Sequence, residues 1–117
     1  MYYRLILGDP INQSCVLESI SFGTHISSPS GVASTRAQIH DIRITKDLDM
    51  LSPILANLCF GGGFIKDAVI SIHPHISRPA QVSYVLESVL VSSYKSDGRR
   101  DSINFDCRLV TFQSGAA

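Results

Sequence analysis

The chain has 117 residues, 44% hydrophobic and 17% charged, which suits one compact domain and is too short for two ordinary ones. Ten acidic residues balance ten basic ones, so the excess of Lys and Arg that marks binders of nucleic acid or anionic membranes is missing, and charge repulsion is no brake on self-association. No apolar run approaches the roughly eighteen residues of a membrane helix.

Tyr2 to Leu7 is aromatic and aliphatic apart from Arg4 and stops at the turn residues Gly8-Asp9-Pro10, which predicts a first strand. Ser14 to Phe22 alternates Val16, Glu18, Ile20 and Phe22 with Cys15, Leu17, Ser19 and Ser21. Neither set is purely polar, so this second strand is expected to be contacted on both faces. Residues 24–38, rich in Ser, Thr, Pro and Gly, read as one extended loop, long enough to serve a function or to pack on a neighbour. Ile39 to Lys46 alternates again, giving a third strand.

The stretch from Asp47 to Gly63 contains the one convincing helix. Ser52 is expected at its N-cap, Pro53 at its first position, and the glycines at its left-handed stop. About two turns would place Ile54, Leu55, Leu58 and Cys59 on one apolar stripe. Three strands follow: Phe64 to His73, Val82 to Tyr94, and Ser102 to Gln113, the last two joined by a hairpin with an Asp97-Gly98 turn. In Phe64 to His73 the alternation sets Ile65, Asp67 and Val69 against Phe64, Ala68, Ile70 and Ile72; in the last strand it sets Ile103, Phe105, Cys107 and Leu109 against Asn104, Asp106, Arg108 and Val110. The class is mainly β: a compact β-barrel of two antiparallel sheets with one short flanking α-helix, in a single domain spanning residues 1–117.

Residues able to carry chemistry are scattered. His73-Pro74-His75 has no further ligand at a metal spacing, so no metal and no cofactor is expected. Cys15, Cys59 and Cys107 are widely spaced and read as reduced thiols, with Cys59 a packing residue. There is no G-x-S-x-G elbow, and Gly61-Gly62-Gly63 lacks the Lys-Ser/Thr of a phosphate loop, so no enzymatic activity is expected.

Three segments in order carry a resemblance. Thr45-Lys46-x-x-Asp49-x-x-Ser52-Pro53-x-Leu55 leads into the helix, Val82 to Tyr94 contains the run Val89-Leu90-Val91-Ser92-Ser93, and Asp101 to Phe112 alternates Asn, Phe and Leu/Val positions. Together they resemble the haemolysin-coregulated protein (Hcp) family, the tube protein of bacterial type VI secretion. The resemblance implies a structural subunit that closes into homohexameric rings, stacks into a tube and carries effectors in its lumen. Implied partners are further copies of the chain, the sheath and tip-spike proteins and effectors, with no nucleic acid and no membrane insertion. The implied location is the bacterial cytoplasm and then the exterior, reached without a Sec signal peptide, whose layout Met1-Tyr2-Tyr3-Arg4 lacks. A phage-tail-tube-like or accessory binding barrel is the alternative, since fold alone does not fix function.

On this reading Ser19 and Ser21 are candidates for a small, polar, lumen-facing surface, an ordinary solvated strand face being the other reading. Thr24, Ser28, Ser30, Val32 and Arg36 of the extended loop are candidates for packing on a neighbouring subunit or ring, against disorder in the isolated chain. Asp41, Arg43, Lys46 and Asp49 could pair with charges across subunits or simply be solvated.

Overall fold

The computed structural model describes residues 1–27 and 37–114, with the backbone alone at 24–27 and 37–39. In chain order the elements are β1 (Tyr2–Leu7), β2 (Gln13–Leu17), β3 (Ser19–Ser27), β4 (Ala37–Asp47), α1 (Ser52–Gly61), β5 (Phe64–His73), β6 (Val82–Ser96) and β7 (Arg100–Ser114). All the strands are antiparallel and form one hydrogen-bonded order, β2-β1-β5-β6-β7-β4-β3. The terminal strands β2 and β3 are consecutive in the chain, so the sheet must curl until its two ends meet. At that corner the Glu18 amide donates to the Thr45 carbonyl at 2.8 Å. The result is the expected β-barrel, with a single helix among the described residues.

The second strand is therefore two strands, and its ambiguous alternation has a physical cause. Before the bend at Glu18, Cys15 and Leu17 point into the core; after it the phase flips, Ser19 and Ser21 face solvent, and Ile20 and Phe22 pack inward. Both faces look apolar in sequence because the core side changes halfway along. A similar change occurs in β6 at Ser88, whose φ of 55° lies in the left-handed region; Leu86 is inward on one side, Val89 and Val91 on the other. In β5, correspondingly, Ile65 is buried with Ala68 and Ile70 instead of opposing them. In β7 the inward row of Ile103, Phe105 and Cys107 ends there, leaving Leu109 exposed and Val110 half-buried.

The expected loop over 24–38 is shorter than the composition suggests. Strand β3 continues through Thr24 to Ser27 and β4 begins at Ala37, paired in register down to Ser27 opposite Ala37. Backbone pairing carries the weak strand formers Gly23 and Ala37 along with Thr24 and Ile26, whose β-branched side chains favour a strand. Ser28, Ser30, Val32 and Arg36 lie outside the described residues.

Helix α1 crosses the barrel end where β4 and β6 finish and β5 and β7 begin. Pro53 sits in its first turn, Leu55 is fully buried, and Ile54, Leu58 and Cys59 pack against the core as the stripe predicts. It runs ten residues, closer to three turns than two, and stops at Gly62 with φ 70°. Its N-cap is Leu51, without a side-chain bond, and not Ser52. Ser52 lies one position further in because its hydroxyl is engaged in a buried polar cluster; the Asp49 carboxylate instead accepts the Leu51 amide at 3.0 Å.

At the other end of the barrel Phe22, Tyr84 and Phe112 form an aromatic cluster with ring centroids 5.0 to 5.5 Å apart.

Candidate functional site

Two polar constructions stand out, one inside the barrel and one on its surface. The inner one is assembled from the motif residues. Along β4 the inward positions are Ile42, Ile44 and then Lys46, so the alternation that builds the core also carries an ammonium into it. Along β7 the inward positions Phe105 and Ile103 lead back to Asp101. Lys46 and Asp101 are adjacent in the β4–β7 register, both fully buried, and Nζ lies 3.0 Å from Oδ2.

Lys46 also donates to Asp49 Oδ1 at 2.7 Å and to Ser52 Oγ at 2.9 Å. The Ser52 hydroxyl donates to Asp101, and Tyr94 donates from β6 to the other Asp101 oxygen at 3.0 Å. Burial opposes the charge on Lys46, but its bonds to Asp49 and Asp101 outweigh this and raise its pKa above the usual lysine value. Burial likewise opposes ionisation of Asp101, and the Ser52, Lys46 and Tyr94 bonds outweigh it, holding the carboxyl below the usual range. Tyr94 is raised, by burial first and by the neighbouring Asp101 second.

This corrects the reading of Lys46 as a surface charge, either paired across subunits or solvated: it is sealed inside its own chain. The motif Thr45-Lys46…Asp49…Ser52-Pro53-x-Leu55 is a clamp joining two strands to the helix start. Asp101 and Tyr94, which complete it, were missed in the sequence reading; the signal was a charge at the inward phase of each of two strands.

The surface construction lies on the outer face of β6, β7, β4 and β3. The cross-strand registers align Lys95, Ser102, Thr45 and Ser19 in one row, and Ser93, Asn104, Arg43 and Ser21 in the next. Ser19 and Ser21 are thus exposed members of a polar face four strands wide. Ser19 and Thr45 share a hydroxyl hydrogen bond, and Arg43 Nε donates to Asn104 Oδ1 at 2.8 Å. Arg43 accordingly sits beside Ser21 and is held by its own chain.

In the next row Asp41 opposes Asp106 on one side and Gly23 on the other; Asp41 is half-buried and its Oδ1 has no hydrogen-bond partner. Thr24 follows in β3, paired with His40.

The remaining candidates are occupied by local structure. His73 uses both ring nitrogens, with the Arg78 carbonyl at 2.9 Å and the Ser71 hydroxyl at 3.0 Å, and His75 contacts Ser77. Cys15 and Cys107 are buried thiols pushed up to about 11, chiefly by burial. Among the described residues no group of His, Cys, Asp or Glu could hold a metal ion, and no helix is long and apolar enough to cross a membrane.

Comparison with known proteins places this architecture. Residues 11–113 match the family model described as type VI secretion system effector, Hcp. No curated protein matches the sequence. Among solved structures, Hcp1 from Salmonella typhimurium is similar with a TM-score of 0.72 at 16% identity, over 97% of this chain and 87% of that one. Hcp1 from Flavobacterium johnsoniae gives 0.72 at 10% identity, over 98% and 97%. The secreted protein Hcp3 from Pseudomonas aeruginosa gives 0.66 at 14% identity, over 97% and 90%. At these identities the structures speak for the fold, while the family match spans nearly the whole chain. The chain belongs to the Hcp family, and it is a structural tube protein of type VI secretion.

Proposed function

We propose that the chain closes into hexameric rings that stack into a hollow tube, with the outer face of β3, β4, β7 and β6 turned to the lumen. The observation that carries this orientation is the pair of cross-strand rows of Ser, Thr and Asn with only Arg43 and Lys95 as charges. A broad face of small polar groups is what a channel for passing proteins needs, since it offers no adhesive apolar patch. Elsewhere the barrel exposes apolar side chains suited to subunit contacts: Ile6 and Val16 on β1 and β2, and Phe64 paired with Leu90.

In such a ring the unpartnered Asp41 Oδ1 is a place for a donor from the adjacent subunit, and Thr24, Ser28, Ser30, Val32 and Arg36 serve ring or subunit contacts. Heterologous contacts of this kind close when the rotation permits. The tube would be driven out by a sheath, with a spike at its tip and effectors in its lumen. The test is the native mass of the untagged protein by light scattering, with negative-stain images of the same peak. A mass of six chains and ring-shaped particles support the reading; a monomer across the micromolar range, with and without the sheath and spike proteins, overturns it.

A further inference from the structure

Away from the polar face, the outer side of β1, β5 and β6 carries a serine and a histidine in hydrogen-bond contact. The inward positions of β5 are Ala68 and Ile70, so Ser71 and His73 both point outward, two residues apart. Ser71 Oγ lies 3.0 Å from His73 Nε2, and His73 Nδ1 lies 2.9 Å from the Arg78 carbonyl oxygen. A carbonyl oxygen only accepts, so Nδ1 carries the proton of the neutral imidazole and Nε2 keeps its lone pair. Ser71 is then the donor, its hydroxyl proton aimed at a base held from behind. The loop that follows β5 supplies that hold: the Gln81 amide returns to the Ile72 carbonyl at 2.8 Å, and Tyr2 meets the His73 ring edge-on with centroids 5.4 Å apart. Nucleophile, base and orienting group stand at the distances that activate a serine, with a carbonyl in place of the usual carboxylate.

The flanks of Ser71 supply hydrogen-bond donors. Its cross-strand neighbours are Arg4 on β1 and Ser83 on β6, with Cβ atoms about 5 Å away in such pairs. Arg4 is exposed and gives one terminal nitrogen to Ser14 Oγ at 3.1 Å. Ser83 is 1% exposed and its Oγ has no hydrogen-bond partner, a cost that an acceptor placed over Ser71 would remove. A guanidinium and a hydroxyl on two sides of the nucleophile are suited to a developing oxyanion. The adjoining row of Ile6, Val69 and Val85 is apolar, and Ile6 is 43% exposed, which gives an acyl chain a surface to lie on.

We propose that Ser71 is a nucleophile activated by His73, and that this face cleaves short-chain acyl esters through an acyl-serine intermediate. Ser71 Oγ bonds to the ester carbonyl carbon as its proton passes to His73 Nε2, and the oxyanion forms between Arg4 and Ser83. Collapse breaks the bond to the alcohol oxygen, which takes the proton from the imidazolium. Water, with His73 again as base, then displaces the acyl group as the carboxylic acid and restores Ser71. Turnover is expected to be slow, because the face is open to water and a carbonyl stabilises the imidazolium less than a carboxylate does. The site lies within one chain and away from the polar face, so it stands or falls separately from the tube reading.

The experiment uses diisopropyl fluorophosphate, which phosphorylates an activated serine with loss of fluoride, read by intact mass and peptide mapping. Hydrolysis of p-nitrophenyl acetate, less the rate left in Ser71→Ala, gives the turnover due to Ser71. One adduct on Ser71 is expected, lost in Ser71→Ala and formed about 100-fold more slowly in His73→Gln, the lower end for a positioned general base. Arg4→Gln and Ser83→Ala are each expected to slow Ser71-dependent hydrolysis by about tenfold, less than in an enclosed oxyanion site. His75→Gln, whose ring contacts Ser77, is expected to leave both readouts unchanged. Absence of an adduct on Ser71 in the wild-type protein overturns the proposal without recourse to any variant. Equal labelling in His73→Gln, or labelling of Ser71 that persists in urea-unfolded wild type, overturns it as well.

Discussion

Lys46 and Asp101 meet at 3.0 Å with both side chains fully buried, joining the end of β4 to the start of β7 beneath the first turn of α1. A buried pair of this kind is weak as a source of net stability but expensive to break, because the surviving charge is left without a partner. Lys46→Met is expected to destabilise the chain by about 3–5 kcal/mol. The double variant Lys46→Met/Asp101→Leu is expected to recover part of that loss, since no fully buried charge then remains unpaired and the part-exposed Asp49 can be solvated. Urea unfolding of the two single variants and the double one measures the coupling; additive losses would show that the pair does not act as a unit.

The same pair sets the pH dependence. Asp101 titrates below its unfolded value, so its contribution is complete above about pH 4 and is lost as the pH falls through the lowered value. Lys46 titrates above its unfolded value, so its contribution is complete below about pH 10 and is lost only as the pH rises further. Stability from this cluster is therefore expected to be flat from about pH 5 to 9 and to fall on the acid side first. Urea midpoints between pH 7 and pH 2.5 check this: the acid limb should be shallower in the double variant than in the wild type.

The glycine run after α1 separates two effects. Gly62 has φ 70° as the helix stop, whereas Gly61 is helical and a Cβ there meets nothing within 4 Å. Gly62→Ala is expected to cost about 1 kcal/mol, and Gly61→Ala to be neutral or stabilising by up to about 1 kcal/mol. Thermal unfolding of the two variants should move in opposite directions or leave Gly61→Ala unmoved; equal losses would contradict the assigned helix end.

What the sequence reveals and conceals follows from where each strand keeps its phase. In β4, Ile42, Ile44 and Lys46 keep one alternation, so the core side and the buried ammonium are both readable, although a lysine is first read as surface. In β2–β3, Glu18 breaks the phase and one predicted strand becomes two; that bend answers to barrel closure through the Thr45 carbonyl, a long-range event with no local signature. Ser19 and Ser21 could be singled out as a small polar face, but their partners Ser102, Asn104 and Arg43 come from registers that only the folded sheet defines. Ser52 looked like a cap because Ser-Pro before an apolar run is a strong local cue, and the Asp101 carboxylate, distant in sequence, claims its hydroxyl instead.

The thiols give a check on core packing. Cys15 and Cys107 are buried and held up to about 11, while Cys59 is half-buried on α1. At pH 8 a disulfide reagent is expected to modify Cys59 in the native protein and to reach Cys15 and Cys107 only on unfolding. One fast thiol of the three, with the other two released at the rate of global unfolding, is the expected trace; two fast thiols would mean that β2 or β7 opens locally.

Ser21 tests the polar face most directly. Its side chain is exposed, lies opposite Arg43 in the β3–β4 register and is absent from the core, so Ser21→Trp should change stability by less than about 0.5 kcal/mol. If the face lines a lumen, each ring gains a set of indoles pointing into the channel. Rings should then still form, while retention of a co-expressed effector falls, because the bulk occupies the space that the cargo needs. Native mass of the variant with and without the effector, beside Ser21→Ala as the small control, separates the outcomes. Loss of the ring itself in Ser21→Trp would instead place this face at a contact between subunits, and the lumen would have to be sought on the opposite side of the barrel, where Ile6 and Val16 are exposed.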